Sequence, residues 1–191
     1  MRLKLTPLLV AFLLVLFVPA SSYAGYDEGV QALKSKNYAL ALEQFSEAAD
    51  AGNLEASVAL AEIYGRGLGV KRDIKKAFDL LSNAARQGNS SAQRDFGLFH
   101  LLPGNELELD SSEGIPWLLK AGEAGDAVAL GYLGNIYSGM LMVPGVEVNK
   151  VKAHIFFHQA GQRGWKHAGA SIWMLENKMT KSQIKEAKSQ E

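Results

Sequence analysis

Two histidines four residues apart, His154 and His158, have the spacing at which helical side chains can grip a metal ion from one face. A metalloprotease helix needs Glu directly after the first His as general base, and Ile155 stands there instead. His167 would add a third nitrogen but lies beyond a glycine turn, so the pair is expected on a partly exposed helix face with no metal bound. GRGLGV at 65–70 has the glycine density of a phosphate cradle, but no Lys-Ser/Thr follows it and it comes after a helical pattern, not a strand. Its glycines are better suited to a turn that needs positive φ. Glu106, Glu108 and Asp110 alternate in a loop with no partner His to shift a pKa. Ser90-Ser91 and Ser111-Ser112 suit helix N-caps and sit in no nucleophile elbow. No catalytic residue, metal site or cofactor is therefore expected.

The elements that carry these residues are copies of one unit. A closing glycine recurs at Gly52, Gly88, Gly125 and Gly164, with spacings of 36, 37 and 39 residues. Four residues after each comes Ala56, Ala92, Ala129 or Ala168. At plus eight and nine stand Leu60-Ala61, Phe96-Gly97, Leu133-Gly134 and Ile172-Trp173, and at plus twelve Tyr64, His100, Tyr137 and Glu176. His100 thus replaces a repeat Tyr and reads as a core residue, not a base. Eleven residues before each glycine stand Ala41, Ala77, Gly114 and Ala153, followed by bulky Phe45, Leu81, Trp117 or Phe156. Small residues let helices approach closely and large ones fill the gaps beside them. A period in this range marks stacked helical hairpins. The expected fold is all-α: a right-handed α-solenoid of about four stacked antiparallel helix hairpins plus a terminal helix.

The stretch AEIYGRGLGVKRDIKKAFDLLSNAARQGN resembles the Sel-one-like repeat, a longer-looped relative of the tetratricopeptide repeat. The family pattern is small-xxx-Leu-Gly-xx-Tyr, Gly-x-Gly-Val-xx-Asp, Lys-Ala-xx-aromatic, then Ala-Ala-xx-Gly. Unit 54–89 departs from it only at Ala61 and at Leu80-Leu81. Unit 90–126 replaces the loop with LLPGNELELD (101–110), and unit 127–165 inserts MVPG (142–145). Unit 26–53 looks like a short-turned tetratricopeptide-style opening, and 166–179 repeats the first helix alone. Thr180 can cap a polar last helix or tail over 180–191, which suits the end of a solenoid.

Ahead of the repeats, Arg2 and Lys4, the apolar run Leu8–Val18 and the small-x-small site Ser22-Tyr23-Ala24 have the layout of a cleaved signal peptide over 1–24. Eleven apolar residues are too few for a spanning helix, which needs roughly 20. A periplasmic or secreted product is expected, with no stable membrane insertion after cleavage. The remaining 167 residues carry 18 basic and 20 acidic side chains, which gives no basic excess to recruit nucleic acid or anionic lipid. The absence of Cys in an exported chain leaves packing alone to stabilise it.

The resemblance implies that the first helix of each hairpin lines a concave face. The positions carried over are Glu55, Val58 and Glu62, then Ser91, Arg94 and Leu98, then Val128, Gly131 and Asn135, then His167, Ala170 and Met174. Such a mixed surface suits an extended peptide or a partner helix. Partner contacts are expected at Glu62, Arg94, Tyr132 and Asn135, with Arg94→Ala and Tyr132→Ala weakening capture while leaving melting unchanged. The function implied is a non-enzymatic protein–protein interaction scaffold or adaptor. The alternative is an envelope enzyme or regulator of peptidoglycan processing, for which a convergent cluster of acid, base or nucleophile would be the sign.

Overall fold

A computed structural model describes residues 21–101, 107 and 109–191. The signal-peptide expectation falls almost wholly outside these residues, as do Glu106 and Glu108. Ten α-helices and one 3-10 turn account for the regular structure, and no strand occurs among the described residues. They are α1 (Ser21–Lys34), α2 (Tyr38–Asp50), α3 (Leu54–Arg66), α4 (Ile74–Arg86), α5 (Ser90–Leu101), α6 (Gly114–Glu123), α7 (Ala127–Ser138), α8 (Lys150–Gln162), α9 (Ala168–Glu176) and α10 (Lys181–Lys188). Consecutive helices pair as hairpins, α1 with α2 through α7 with α8, and each hairpin packs on the next. The chain is an all-α solenoid, as the glycine period predicts.

Unit boundaries are built the same way each time. The closing glycines Gly52, Gly88, Gly125 and Gly164 all hold φ between +90° and +96°, a left-handed turn that ends the helix. The next residue's N–H then returns to a buried alanine: Asn53 to Ala48 at 2.9 Å, Asn89 to Ala84 at 3.1 Å, Asp126 to Ala121 at 2.9 Å. That same residue caps the following helix, its side-chain oxygen accepting the N–H of Ala56, Ala92 or Ala129 at 2.8–2.9 Å. One residue therefore stops one helix and starts another. The caps expected at Ser90-Ser91 and Ser111-Ser112 are in fact Asn89 and Asp110, one residue earlier, because their side-chain oxygens reach Ala92 N and Ser112 N at 2.8 Å. After Gly164 the capping residue is replaced by Trp165, and α9 starts later, at Ala168, with no side-chain cap.

The second helices bury one stripe at minus eleven, seven and four from the closing glycine. It reads Ala41-Phe45-Ala48, Ala77-Leu81-Ala84, Gly114-Leu118-Ala121 and Ala153-Phe157-Ala160. The bulky core residue is thus Leu118 and Phe157, not Trp117 and Phe156, which lie one residue off the stripe and are only half-buried. Positions i, i+4 and i+7 fall within about 60° of one another around the helix, and Trp117 and Phe156, at i+3, lie on the flank of that face. Opposite these rings the first helices present small residues. A Cβ at Gly29 would sit 2.6 Å from the Phe45 ring, and one at Gly97 would sit 2.8 Å from the Gly114 carbonyl. At Gly134 it would strike the Phe157 ring. Burying each such ring contributes about 1.5–3 kcal/mol, available only while the facing position stays small.

The long loops close on the repeat aromatic at plus twelve. Asp73 N–H donates to the Tyr64 carbonyl at 2.9 Å, and Asn149 N–H to that of Tyr137 at 2.8 Å. In the third unit the side chain does this work: His100 Nδ1–H donates to the Asp110 carbonyl at 3.0 Å. His100 is buried against Phe78 and Phe96, the core role expected for it. Within GRGLGV, Gly67 and Gly69 have positive φ, whereas Gly65 is helical. A Cβ at Gly69 would lie 2.5 Å from Tyr38 Cβ, so this loop docks on the preceding unit. The MVPG insertion tucks Val143 into the core and leaves Met142 outside.

Candidate functional site

The row of first helices α3, α5, α7 and α9 carries the residues expected to meet a partner. Glu62 is exposed and forms an ion pair with Arg66 one turn on. Asn135 is half-buried, and its backbone carbonyl accepts Leu141 N–H at 2.9 Å, anchoring the inserted loop. Tyr132 is half-buried and packs against the cluster around Leu130 and Leu133. Gly131 is buried, and a Cβ there would meet the Trp165 ring at 2.7 Å, so it belongs to a joint between units and not to an open groove.

Arg94 has a second role. Its guanidinium donates to Asp95 and to Asp126, each at 2.7 Å, with its side chain only 21% exposed. Burial opposes the charge most strongly, but the hydrogen bond to Asp95 and the attraction of both carboxylates outweigh it and raise the Arg94 pKa above its ordinary value. Because Asp126 caps α7, the pair ties one unit to the start of the next. Asn89, the cap of α5, is reached in the same way: its carboxamide donates to Glu55 on α3 at 3.1 Å. These two joints run along the row, and the structure brings Arg94 to Asp126, not to Glu62, Tyr132 or Asn135.

His154 is 1% exposed and lies beneath the chain's C-terminal segment, not on the partly exposed face expected from spacing alone. Its Nε2–H donates to Glu176 at 3.0 Å, and Glu191 approaches Nδ1 at 2.8 Å without hydrogen-bond alignment. Glu191 also lies 3.5 Å from His158 Nε2. The hydrogen bond from His154, followed by that from Lys188 at 2.9 Å, holds the Glu176 carboxyl below the usual carboxylate range. The cluster therefore fastens α10 and α9 onto α8. No group of three or more His, Asp or Glu among the described residues is arranged to hold a metal. No described helix is long and apolar enough to cross a membrane.

Two open clefts lie away from the row. One of about 400 Å³ is lined by 71–75 and Leu107, and the other of about 480 Å³ by 148–152 with Gln183, Glu186 and Gln190. The Lys75 pKa is raised by its hydrogen bond to Asp79, an exposed pair across one helical turn.

The family model for the Sel1 repeat matches four times, over residues 19–53, 54–89, 90–126 and 127–165. The chain belongs to the Sel1 repeat family. Sel1 repeat proteins generally mediate protein–protein interaction through a helical scaffold. A Sel1 repeat protein from Oxalobacter formigenes superposes with a TM-score of 0.64 at 26% identity, over 77% of this chain and 59% of that one. This chain thus spans less than two thirds of that relative's length. Weaker likenesses, each with a TM-score of 0.43, join it to a protective antigen of uropathogenic Escherichia coli displaying an SLR fold and to an immunity protein from Pseudomonas aeruginosa. The antigen is 24% identical over 87% of this chain and 44% of its own; the immunity protein is 18% identical over 88% and 83%. No curated protein matches the chain.

Proposed function

We propose that this Sel1 repeat protein is an exported, non-enzymatic adaptor that holds a protein partner along its first-helix row. The observation that carries this reading is the surface of that row: exposed Glu62 of the second unit, exposed Val128 with half-buried Tyr132 and Asn135 of the fourth, and exposed Met174 of the last lie on first helices of one stack. Mixed polar and apolar groups spread over several units suit an extended peptide or a helix, not a compact small molecule. Export rests on the n-region, apolar run and small-x-small site at 1–24.

The test is affinity capture of the chain from envelope extract, repeated with Glu62→Lys and Tyr132→Ala. A specific partner retained by the parent and lost by both variants, with melting unchanged, is the expected result. Equal retention by both variants would move binding to the loop edge, to 101–110 or the MVPG insertion. Export is checked by cell fractionation and N-terminal sequencing, with Gly25 as the expected first residue.

A further inference from the structure

Helix α9 lacks the neighbour that every earlier first helix has. In units one to four the first helix packs along its own second helix, and that pairing is the most extensive in each unit. α9 packs on the preceding α8, but the next helix, α10, turns back onto α8 as well and does not extend along α9. The face left open is Gly169, Ala170, Trp173, Met174 and Asn177, which share one side of the helix and are all exposed. Trp173 occupies the plus-nine column, where Ala61, Gly97 and Gly134 are buried against a second helix, yet it is 68% exposed. Nothing lies within 4 Å of a Cβ built on Gly169, unlike at any other described helical glycine.

Charge defines what could cover this face. Between Arg163 and Lys181 there are four Lys and Arg side chains, Arg163, Lys166, Lys178 and Lys181, against one acidic residue, Glu176. Glu176 is occupied by His154 and Lys188. α8, the helix beneath, contributes no acidic residue at all. An apolar helical face flanked in sequence by an excess of cations repels a second copy of itself and attracts an anionic partner. The column register favours a helix over a lipid surface, because a helix covers this position in all four preceding units.

We infer that the open face of α9, centred on Trp173 and Met174, docks an acidic amphipathic helix of a partner protein, which completes the fifth hairpin in trans. This face lies at the far end of the first-helix row and shares Met174 with it, so it rests on that reading there; Trp173 is not among the row's groups, and a failure at Trp173 leaves Glu62 and Tyr132 to their own test. The partner helix should carry small residues opposite the indole and Asp or Glu on its flanks.

A peptide of residues 37–52 of this chain is a suitable probe. It forms a hairpin helix here whose buried stripe is Ala41, Phe45 and Ala48, the two alanines giving the indole small positions to lie against, and it carries Glu43, Glu47 and Asp50 with no basic residue. Titrated into the full chain, it should shift the tryptophan emission to the blue as Trp173 is covered. Trp173→Ala, and separately Lys166→Glu with Lys178→Glu, should each weaken binding about tenfold or more, the size of an interfacial anchor. The same peptide with Lys in place of its three acidic residues should bind about tenfold more weakly too. Lys71→Glu, an equal charge change on a distant loop, should leave binding unchanged. Trp173→Ala should also leave the melting temperature unchanged. The inference is overturned if no binding appears at about millimolar peptide, or if both peptides bind alike. It is equally overturned if Trp173→Ala abolishes only self-association or only binding to phosphatidylglycerol vesicles.

Discussion

At the scale of single residues, what matters is whether a side chain faces a neighbouring helix or solvent. Gly134 faces Phe157. Gly134→Leu should cost about 1–3 kcal/mol or more, because the ring has nowhere to go in a packed core. Lys71→Leu, on an exposed loop, should change the melting temperature little, and paired thermal melts check the contrast. Arg94 no longer supports the expectation that its truncation leaves melting unchanged. Removing it strands the nearly buried Asp126 carboxylate, so Arg94→Ala should destabilise by about 3 kcal/mol. A double-mutant cycle with Asp126→Asn should recover a coupling of at least about 1 kcal/mol, and a value near zero would show that the pair is ornamental. Gly134 was legible in the sequence because its column repeats as Ala61 and Gly97. Gly131 was not, because its reason, Trp165, stands in the turn that closes the same unit, far off in sequence, and occurs once. Likewise Arg94 could be placed on the row by register, but its partner at a cap 32 residues on belongs to tertiary structure.

At the scale of elements, α2 to α5, α7 and α8 each have a side-chain cap and a hairpin partner together, whereas α9 has neither. The glycine period located the units because each boundary repeats one turn geometry, and Thr180 was recognisable as a cap from its own type. The structure adds the reciprocal bond in which Gln183 accepts the Thr180 N–H at 3.0 Å. Docking of α10 could not be foreseen, since the side chains that fasten it come from three helices. Glu176 makes that docking pH-dependent. Its carboxyl is held below the unfolded value, so its contribution is complete above the ordinary carboxylate range and is lost as pH falls through the folded value. Between about pH 5 and about pH 3 the parent should lose more melting temperature than Glu176→Gln, because the variant has no carboxyl to protonate at this position. Parallel curves for the two proteins would remove Glu176 from the account.

At the scale of the whole molecule, the core is a series of four clusters, each shared by adjacent hairpins, not one central mass. Stability is then close to a sum over units and their junctions. Amide exchange should follow that division: slow in α3 through α8, which have neighbours on both sides, and faster in α9, despite Leu175 being buried. Hydrogen-exchange mass spectrometry on peptides from 127–138 and 168–176 makes the comparison. Equal protection would mean that α9 is already covered.

Because each hairpin touches only the hairpins beside it, the molecule should behave under tension as a chain of separate links. Pulled from its two ends in an optical trap, it should not give way in one rupture. It should lengthen in steps, one for each unit released, beginning at the end where α9 has a single neighbour. Units of 36, 37 and 39 residues each store roughly 12–14 nm of extended chain, so the trace should show near-equal increments of that size. Cutting the Arg94–Asp126 tie should lower the force of one step and leave the rest where they were.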